Sequence, residues 1–167
     1  NTAFLEDVIV KSPKIMVEDN FKGSAQFFAA EKIMIGKDAV LKYPSVLCIV
    51  GKSSENKTIT VDENSKISGA VVLIDDSELR NGKTFIKLHK GSMLTGEVFC
   101  TEKIMPEGII HGSVYARQVF HDAGAAIHDN CLADSEIDVT KRPAYYVSVP
   151  VLKNKNKRNN GVFKKIL

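Results

Sequence analysis

The chain has 167 residues, of which 44% are apolar and 26% charged, a size and balance that suit one folded domain and exclude a wholly disordered polypeptide. Aromatic residues make up only 7% and tryptophan is absent, so small and branched apolar side chains must build the core. The formal net charge of +3 is unevenly divided: residues 1–140 carry 15 basic and all 20 acidic side chains, whereas residues 141–167 carry 8 basic and none acidic.

Residues 1–13 hold a short apolar group, Val8, Ile9 and Val10, ahead of Pro13. They read as an N-terminal cap. From Lys14 a pattern begins with Ile15, Val17, Phe21, Gly23 and Ala25, and resumes with Ile33, Ile35, Asp38, Ala39 and Leu41. Lys-Ile-Met returns at Lys14, Lys32 and Lys103. Tyr43 and Pro44 stand where later repeats carry glycine, and because proline cannot donate to a strand ladder, Pro44 is expected at a corner or bulge. Gly51–Lys57 and Asp75–Lys83 are polar and read as surface loops, with Asp75, Asp76 and Glu78 forming a solvated acidic group.

The clearest repeat lies between Ile59 and Cys131. Ile59, Val61, Ile67, Gly69 and Val71 recur as Ile86, Leu88, Leu94, Gly96 and Val98 after an interval of 27 residues. The pattern continues through Ile104, Ile110, Gly112 and Val114, and it extends to Ile127, Asp129 and Cys131 at an interval of 17 residues. Removing a loop of about ten residues from the longer interval leaves a coil of 17–18 residues, which is three faces of about six residues at about 3.3 Å each. Val61, Ile67, Val71, Leu88, Leu94, Val98, Ile110, Val114, Ile127 and Cys131 are the expected inward residues. Gly69, Gly96, Gly112 and Asp129 are the expected corners, where positive φ favours glycine and tolerates aspartate. Runs of valine and isoleucine broken every six to ten residues by Gly, Asn or Asp cannot sustain helices. The predicted fold is all-β: a single-stranded parallel β-helix of five or six coils over residues 14–140, closed at both ends.

Residues 141–167 depart from the repeat. Ala144–Leu152 and Gly161–Leu167 are β-prone and flank a basic loop, so a C-terminal β-hairpin cap is expected. Lys153, Lys155, Lys157 and Arg158 in that loop suit an anionic partner, but no aromatic residue lies among them, so base stacking is not signalled and nucleic acid is not the favoured partner. Three cysteines, Cys48, Cys100 and Cys131, cannot form a fully paired framework and read as buried thiols.

A Val/Ile strand, an Asp/Asn/Gly corner, a small residue, an apolar residue and then glycine, as in ITVDENSKISGAVVLI and IKLHKGSMLTGEVFC, resemble the coils of bactofilins. These bacterial proteins form polymers. The resemblance covers about residues 14–133 and implies a right-handed parallel β-helix, self-association end to end or through edges, and a place in the bacterial cell envelope or membrane-associated cytoskeleton with a membrane or envelope partner. The two insertions and the basic C-terminal hairpin depart from that pattern. A sequence beginning at Asn1 leaves room for an N-terminal anchor or signal ahead of it.

Chemistry is sparsely signalled. His111 and His128 would stack in adjacent coils and are the two residues with a claim to a metal, but Ser68 and Thr95 share their column, and a structural site needs four good ligands. An outward polar ladder explains them, and neither a metal nor a cofactor is expected. A hexapeptide-repeat acyltransferase shares the triangular coil and uses a histidine as general base, yet only Ile35-Gly36 shows the usual step that opens a hexad. A surface adhesion or binding module is the other alternative. The reading carried forward is a non-enzymatic structural and assembly module.

Overall fold

The computed structural model describes residues 4–51, 56–77, 83–122, 124, 127–133 and 135–146, and for Phe4 and Ile127 the backbone alone. Among these residues the protein is all-β, apart from one 3-10 turn at Val139–Lys141. In chain order the strands are β1 (Phe4–Val17), β2 (Lys22–Ile35), β3 (Val40–Gly51), β4 (Thr58–Val61), β5 (Lys66–Asp75), β6 (Phe85–Leu88), β7 (Met93–Pro106), β8 (Ile109–Asp122), β9 (Ile127–Asp129) and β10 (Glu136–Ile137).

Long strands here serve two partners. Residues 22–29 of β2 pair with β3 while 32–35 pair with β4, and residues 93–100 of β7 pair with β5 while 103–106 pair with β6. Neighbours β7, β5, β3, β2, β4 and β6 thereby close into a ring of parallel strands. The bends coincide with breaks in register, such as the one between Leu41 and Ser45 at Tyr43 and Pro44, where a bulge was expected.

Parallel, nearly unshifted register turns the sequence repeat into columns of like side chains about 4.8 Å apart. Leu41, Ile67, Leu94 and Ile110 form one column, and Leu47, Val71, Val98 and Val114 another. Ile15, Ile33, Ile59, Ile86 and Ile104 form a third. Val61, Ile67, Val71, Leu88, Leu94, Val98 and Ile110 are all buried, as their alternation predicts, and Val114 packs partly buried against the same core. Each fully buried large side chain contributes roughly 1.5–3 kcal/mol. Cys100 also points inward, and burial pushes its thiol up to about 12. Cys48 and Cys131 are only half-buried, contrary to the expectation of three buried thiols.

Residues 127–131 do not continue the coils as the 17-residue interval placed them. β9 turns back antiparallel on β8, so that His121 faces His128 and Phe120 faces Asp129. Between these two strands Gly124, at φ +77°, donates its N–H to Asp122 Oδ1 at 2.9 Å. Ile110 instead pairs with Ile137, 27 residues on, the interval that also separates Ile59 from Ile86. Ile127 and Cys131 therefore do not continue the columns of Ile110 and Val114, and Asp129 is not a corner in register with Gly112.

The corners also divide into two kinds. Asn20, Asp38, Asn64 and Gly91 take φ of 62°, 55°, 60° and 77°, so the left-handed corner lies a few residues before the predicted one. Gly69 and Gly96 have φ of 146° and 145°, but the stronger constraint on the Gly69, Gly96 and Gly112 column is space. A Cβ on Gly112 would lie 1.7 Å from the Gly96 carbonyl oxygen, although Gly112 has no positive φ.

The boundary drawn between residues 13 and 14 is crossed by β1, which runs from Phe4 to Val17 and pairs throughout with β2. Beyond Tyr146 the C-terminal hairpin, with Lys153, Lys155, Lys157 and Arg158, lies outside the described residues.

Candidate assembly surfaces

The two ends of the strand stack differ. At one end β1 pairs with β2 alone among the described residues, leaving the other edge of a 14-residue strand without a described partner. Leu5, Val8 and Val10 point toward the core but are only partly buried, because no described strand lies over them. Ile9 and Met16, which alternate with them, are 69% and 68% exposed. The register breaks twice along this strand, between Leu5 and Val8 and between Ser12 and Lys14; at the first break Asp7, at φ 52°, accepts a 2.9 Å bond from Ser24 Oγ and donates its own N–H to that oxygen at 3.0 Å. Bulges, prolines and charges are the usual protections of a sheet edge, and here they fall at Glu6 and Asp7 and from Lys11 to Lys14, leaving Val8 to Val10 as the unprotected stretch between them.

At the opposite end β8 is covered in part, with Val114, Ala116 and Val119 partly buried. β10 pairs with its first two residues and β9 with its last three, and between them Val114, Tyr115 and Val119 line a shallow groove together with Leu132, Ile137 and Val139. Polar contacts hold this cover. Arg142 Nη1 donates to Glu97 Oε1 at 2.5 Å, and Lys141 pairs with Glu136. Asp138 caps the 3-10 turn by accepting the Thr140 N–H at 2.9 Å.

Midway along the stack the two insertions meet at a buried ion pair. Lys57 is fully buried, and its Nζ lies 2.9 Å from Asp75 Oδ1, whose side chain is itself 7% exposed. Thr84 Oγ1 donates to Asp75 Oδ2 at 2.9 Å, the Ser77 N–H donates to Oδ1 at 3.0 Å, and the Asp75 N–H donates to Thr101 Oγ1 at 2.8 Å. Burial by itself would raise the Asp75 carboxyl, but the bonds from Lys57, Ser77 and Thr84 outweigh it and hold it at about 2. Asp75 thus departs from the solvated acidic loop expected of it, and Lys57 from the polar loop that ends on it. A signal was present: the 27-residue interval that aligns Thr58 with Phe85 also sets Lys57 beside Thr84.

The histidines divide as the strands do. Ser68, Thr95 and His111 form the expected outward ladder, with His111 Nε2 3.6 Å from Glu136 Oε1. His128 is not in that ladder but stacks on His121, with ring centroids 6.5 Å apart. The pair singled out as metal candidates is therefore not brought together. Among the described residues no three His, Cys, Asp or Glu side chains converge as a metal site. His111→Ala is expected to change unfolding stability by no more than about 0.5 kcal/mol, since a partly exposed His–carboxylate contact contributes little. Thermal denaturation measures this, and a shift in Tm beyond about 2 °C would contradict it.

No family model, curated protein or solved structure matches the chain. Among the described residues no helix is long and apolar enough to cross a membrane.

Proposed function

We propose that the protein is a non-enzymatic structural and assembly module of bactofilin-like type, wound as a right-handed parallel β-helix of five or six coils. The winding is supported by the ring of parallel strands and by the bent strands that serve two partners in turn. The right hand follows from the resemblance and from the strong preference for right-handed crossovers between parallel strands.

The observation that carries the assembly reading is the difference between the ends. An edge strand of 14 residues with Leu5, Val8 and Val10 only partly buried can accept another strand, whereas on β8 both ends of the strand are already paired, with β10 at Ile109 and Ile110 and with β9 at Phe120 to Asp122. Self-association accordingly runs through the β1 edge, as β-strand addition between copies. In this reading the module works at the bacterial cell envelope or on a membrane-associated cytoskeleton, with a membrane or envelope partner beside its own copies.

Sedimentation velocity and negative-stain electron microscopy of the natural full-length protein test this. Self-association is expected, and Ile9→Lys, which adds a charge to the edge and leaves the buried columns untouched, is expected to weaken it by at least about tenfold. A wild-type protein that stays monomeric at every concentration sinks the proposal.

A further inference from the structure

Between its two register breaks β1 carries a short sequence that is symmetric about Ile9. Counted outward from Ile9, Val8 is matched by Val10, and Asp7 by Lys11, an acid by a base. The sides of the strand follow the same centre. Val8 and Val10 pack partly buried against the core, whereas Ile9 is 69% exposed on the other side. Lys11 stands in register with Phe28, between the buried Phe27 and Ala29, so it shares the side of Ile9. At the first break Leu5 faces Gly23 and Val8 faces Ala25, which leaves Glu6 and Asp7 together against Ser24. Two exposed acidic residues thus stand at one end of the run and an exposed lysine at the other. Among the described residues no ion pair engages Glu6, Asp7 or Lys11.

We propose that a second copy of the chain adds to this edge in antiparallel sense, with a two-fold axis through Ile9. The inference rests on self-association through β1 and goes on to fix its orientation and register. Two copies of one edge can meet with their inward sides together only about an axis perpendicular to the sheet, and such an axis makes the strands antiparallel. Residues directly opposed in antiparallel strands share a side, so inward valines must meet inward valines. A centre at Ile9 sets Val8 against the partner's Val10, Ile9 against the partner's Ile9, and Lys11 against the partner's Asp7 with Glu6 beside it. Every apolar residue of the unprotected stretch then gains an apolar neighbour, and every charge an opposite one.

Neighbouring centres do worse on both counts. A centre at Val8 sets Ile9 against the partner's Asp7, and a centre at Val10 sets Ile9 against the partner's Lys11. Pro13, which has no N–H to offer, limits the pairing at the far end of the run. The contact is isologous and uses the same edge of both copies, so association through β1 ends at a dimer.

Cross-linking reads this register directly. Residues opposed in antiparallel strands have Cα atoms about 4.5–5.5 Å apart, within the span of about 4.4–6.8 Å that a disulfide bridges. In the full-length protein carrying Cys48→Ser and Cys131→Ser, so that only the buried Cys100 remains, Ile9→Cys is expected to form disulfide-linked dimers when oxidised with diamide. Lys11→Cys, displaced from its own counterpart by about 14 Å along the strands, is expected to stay unlinked. In the otherwise unaltered protein, sedimentation velocity is expected to show Lys11→Glu weakening the dimer by about tenfold and Glu6→Lys/Lys11→Glu restoring most of the loss, because opposed charges across strands attract and like charges repel. Association that Ile9→Lys weakens but Ile9→Cys does not cross-link overturns the two-fold and leaves self-association through β1 standing. Equal cross-linking at both cysteine positions overturns it as well. A chain that stays monomeric at every concentration overturns both readings.

Discussion

Gly96→Ala is expected to leave no folded protein. A Cβ at this position would stand 1.7 Å from the Gly69 carbonyl oxygen and 2.8 Å from its carbonyl carbon, both backbone atoms of the neighbouring strand. Neither can move alone. Gly69 is held in register between Ser45 and Gly96, and Gly96 between Gly69 and Gly112, so relief at one level displaces the next. The φ of 145° adds strain of its own for any residue with a side chain. Together these exceed about 4 kcal/mol, a large part of the 5–15 kcal/mol by which domains are stable.

Two controls separate the causes. Gly124→Ala meets a positive φ of 77° with no heavy atom within 4 Å of the new Cβ, and is expected to lose only about 1–2 kcal/mol. Gly51→Ala, whose Cβ would meet only Lys57 Cε at 3.8 Å, is expected to fold like wild type. Circular dichroism and urea unfolding of the three variants check the order. A Gly96→Ala protein as stable as Gly124→Ala would show that the strands are not packed at this spacing.

The second large effect is expected at the buried pair. Lys57→Met leaves the Asp75 carboxylate buried without the ammonium at 2.9 Å, and Asp75→Asn takes that carboxylate away from Lys57, so each is expected to lose about 3–5 kcal/mol. Lys57→Met/Asp75→Leu removes both charges and is expected to recover a substantial part of that loss, since a buried pair replaced by apolar groups is often close to neutral. Recovery is incomplete because the Thr84 hydroxyl, which donates to Asp75, loses its acceptor. Additive single-variant losses in the double-mutant cycle would refute the coupling.

The same pair makes stability depend on pH. The Asp75 carboxyl is lowered from 3.8 to about 2 in the folded protein, so unfolding binds a proton in that range. Its contribution, about 2 kcal/mol, is fully present above about pH 4 and is lost as the pH falls toward 2. Asp75→Asn should remove that part of the acid sensitivity. Urea midpoints measured from pH 5 to pH 2 decide it: wild type and variant curves that stay parallel would exclude Asp75 as the source.

Much of this architecture is legible in the sequence, because in parallel register one residue meets its counterpart a full repeat away. The 27-residue offset between Ile59–Val71 and Ile86–Val98 is the offset in the pairings of β4 with β6 and β5 with β7. Alternation identified the inward residues, since a strand has only two sides. The expectation failed between Gly112 and Cys131. Spacing by 17 residues cannot say whether a chain continues around or turns back, and β9, antiparallel to β8, takes the second course.

What the sequence by itself determined is periodic: strands, their inward residues, the recurrence of Gly69, Gly96 and Gly112, and the polar ladder of Ser68, Thr95 and His111. Only the tertiary structure decided what depends on three-dimensional proximity. It brought Lys57 of one insertion to Asp75 of the other, folded β9 back onto the end of β8, and left β1 with β2 as its one strand partner among the described residues. The physical reason is that column membership follows from a repeating interval along the chain. Which charges meet, and which edge is covered, depend instead on loops and reversals that carry no interval.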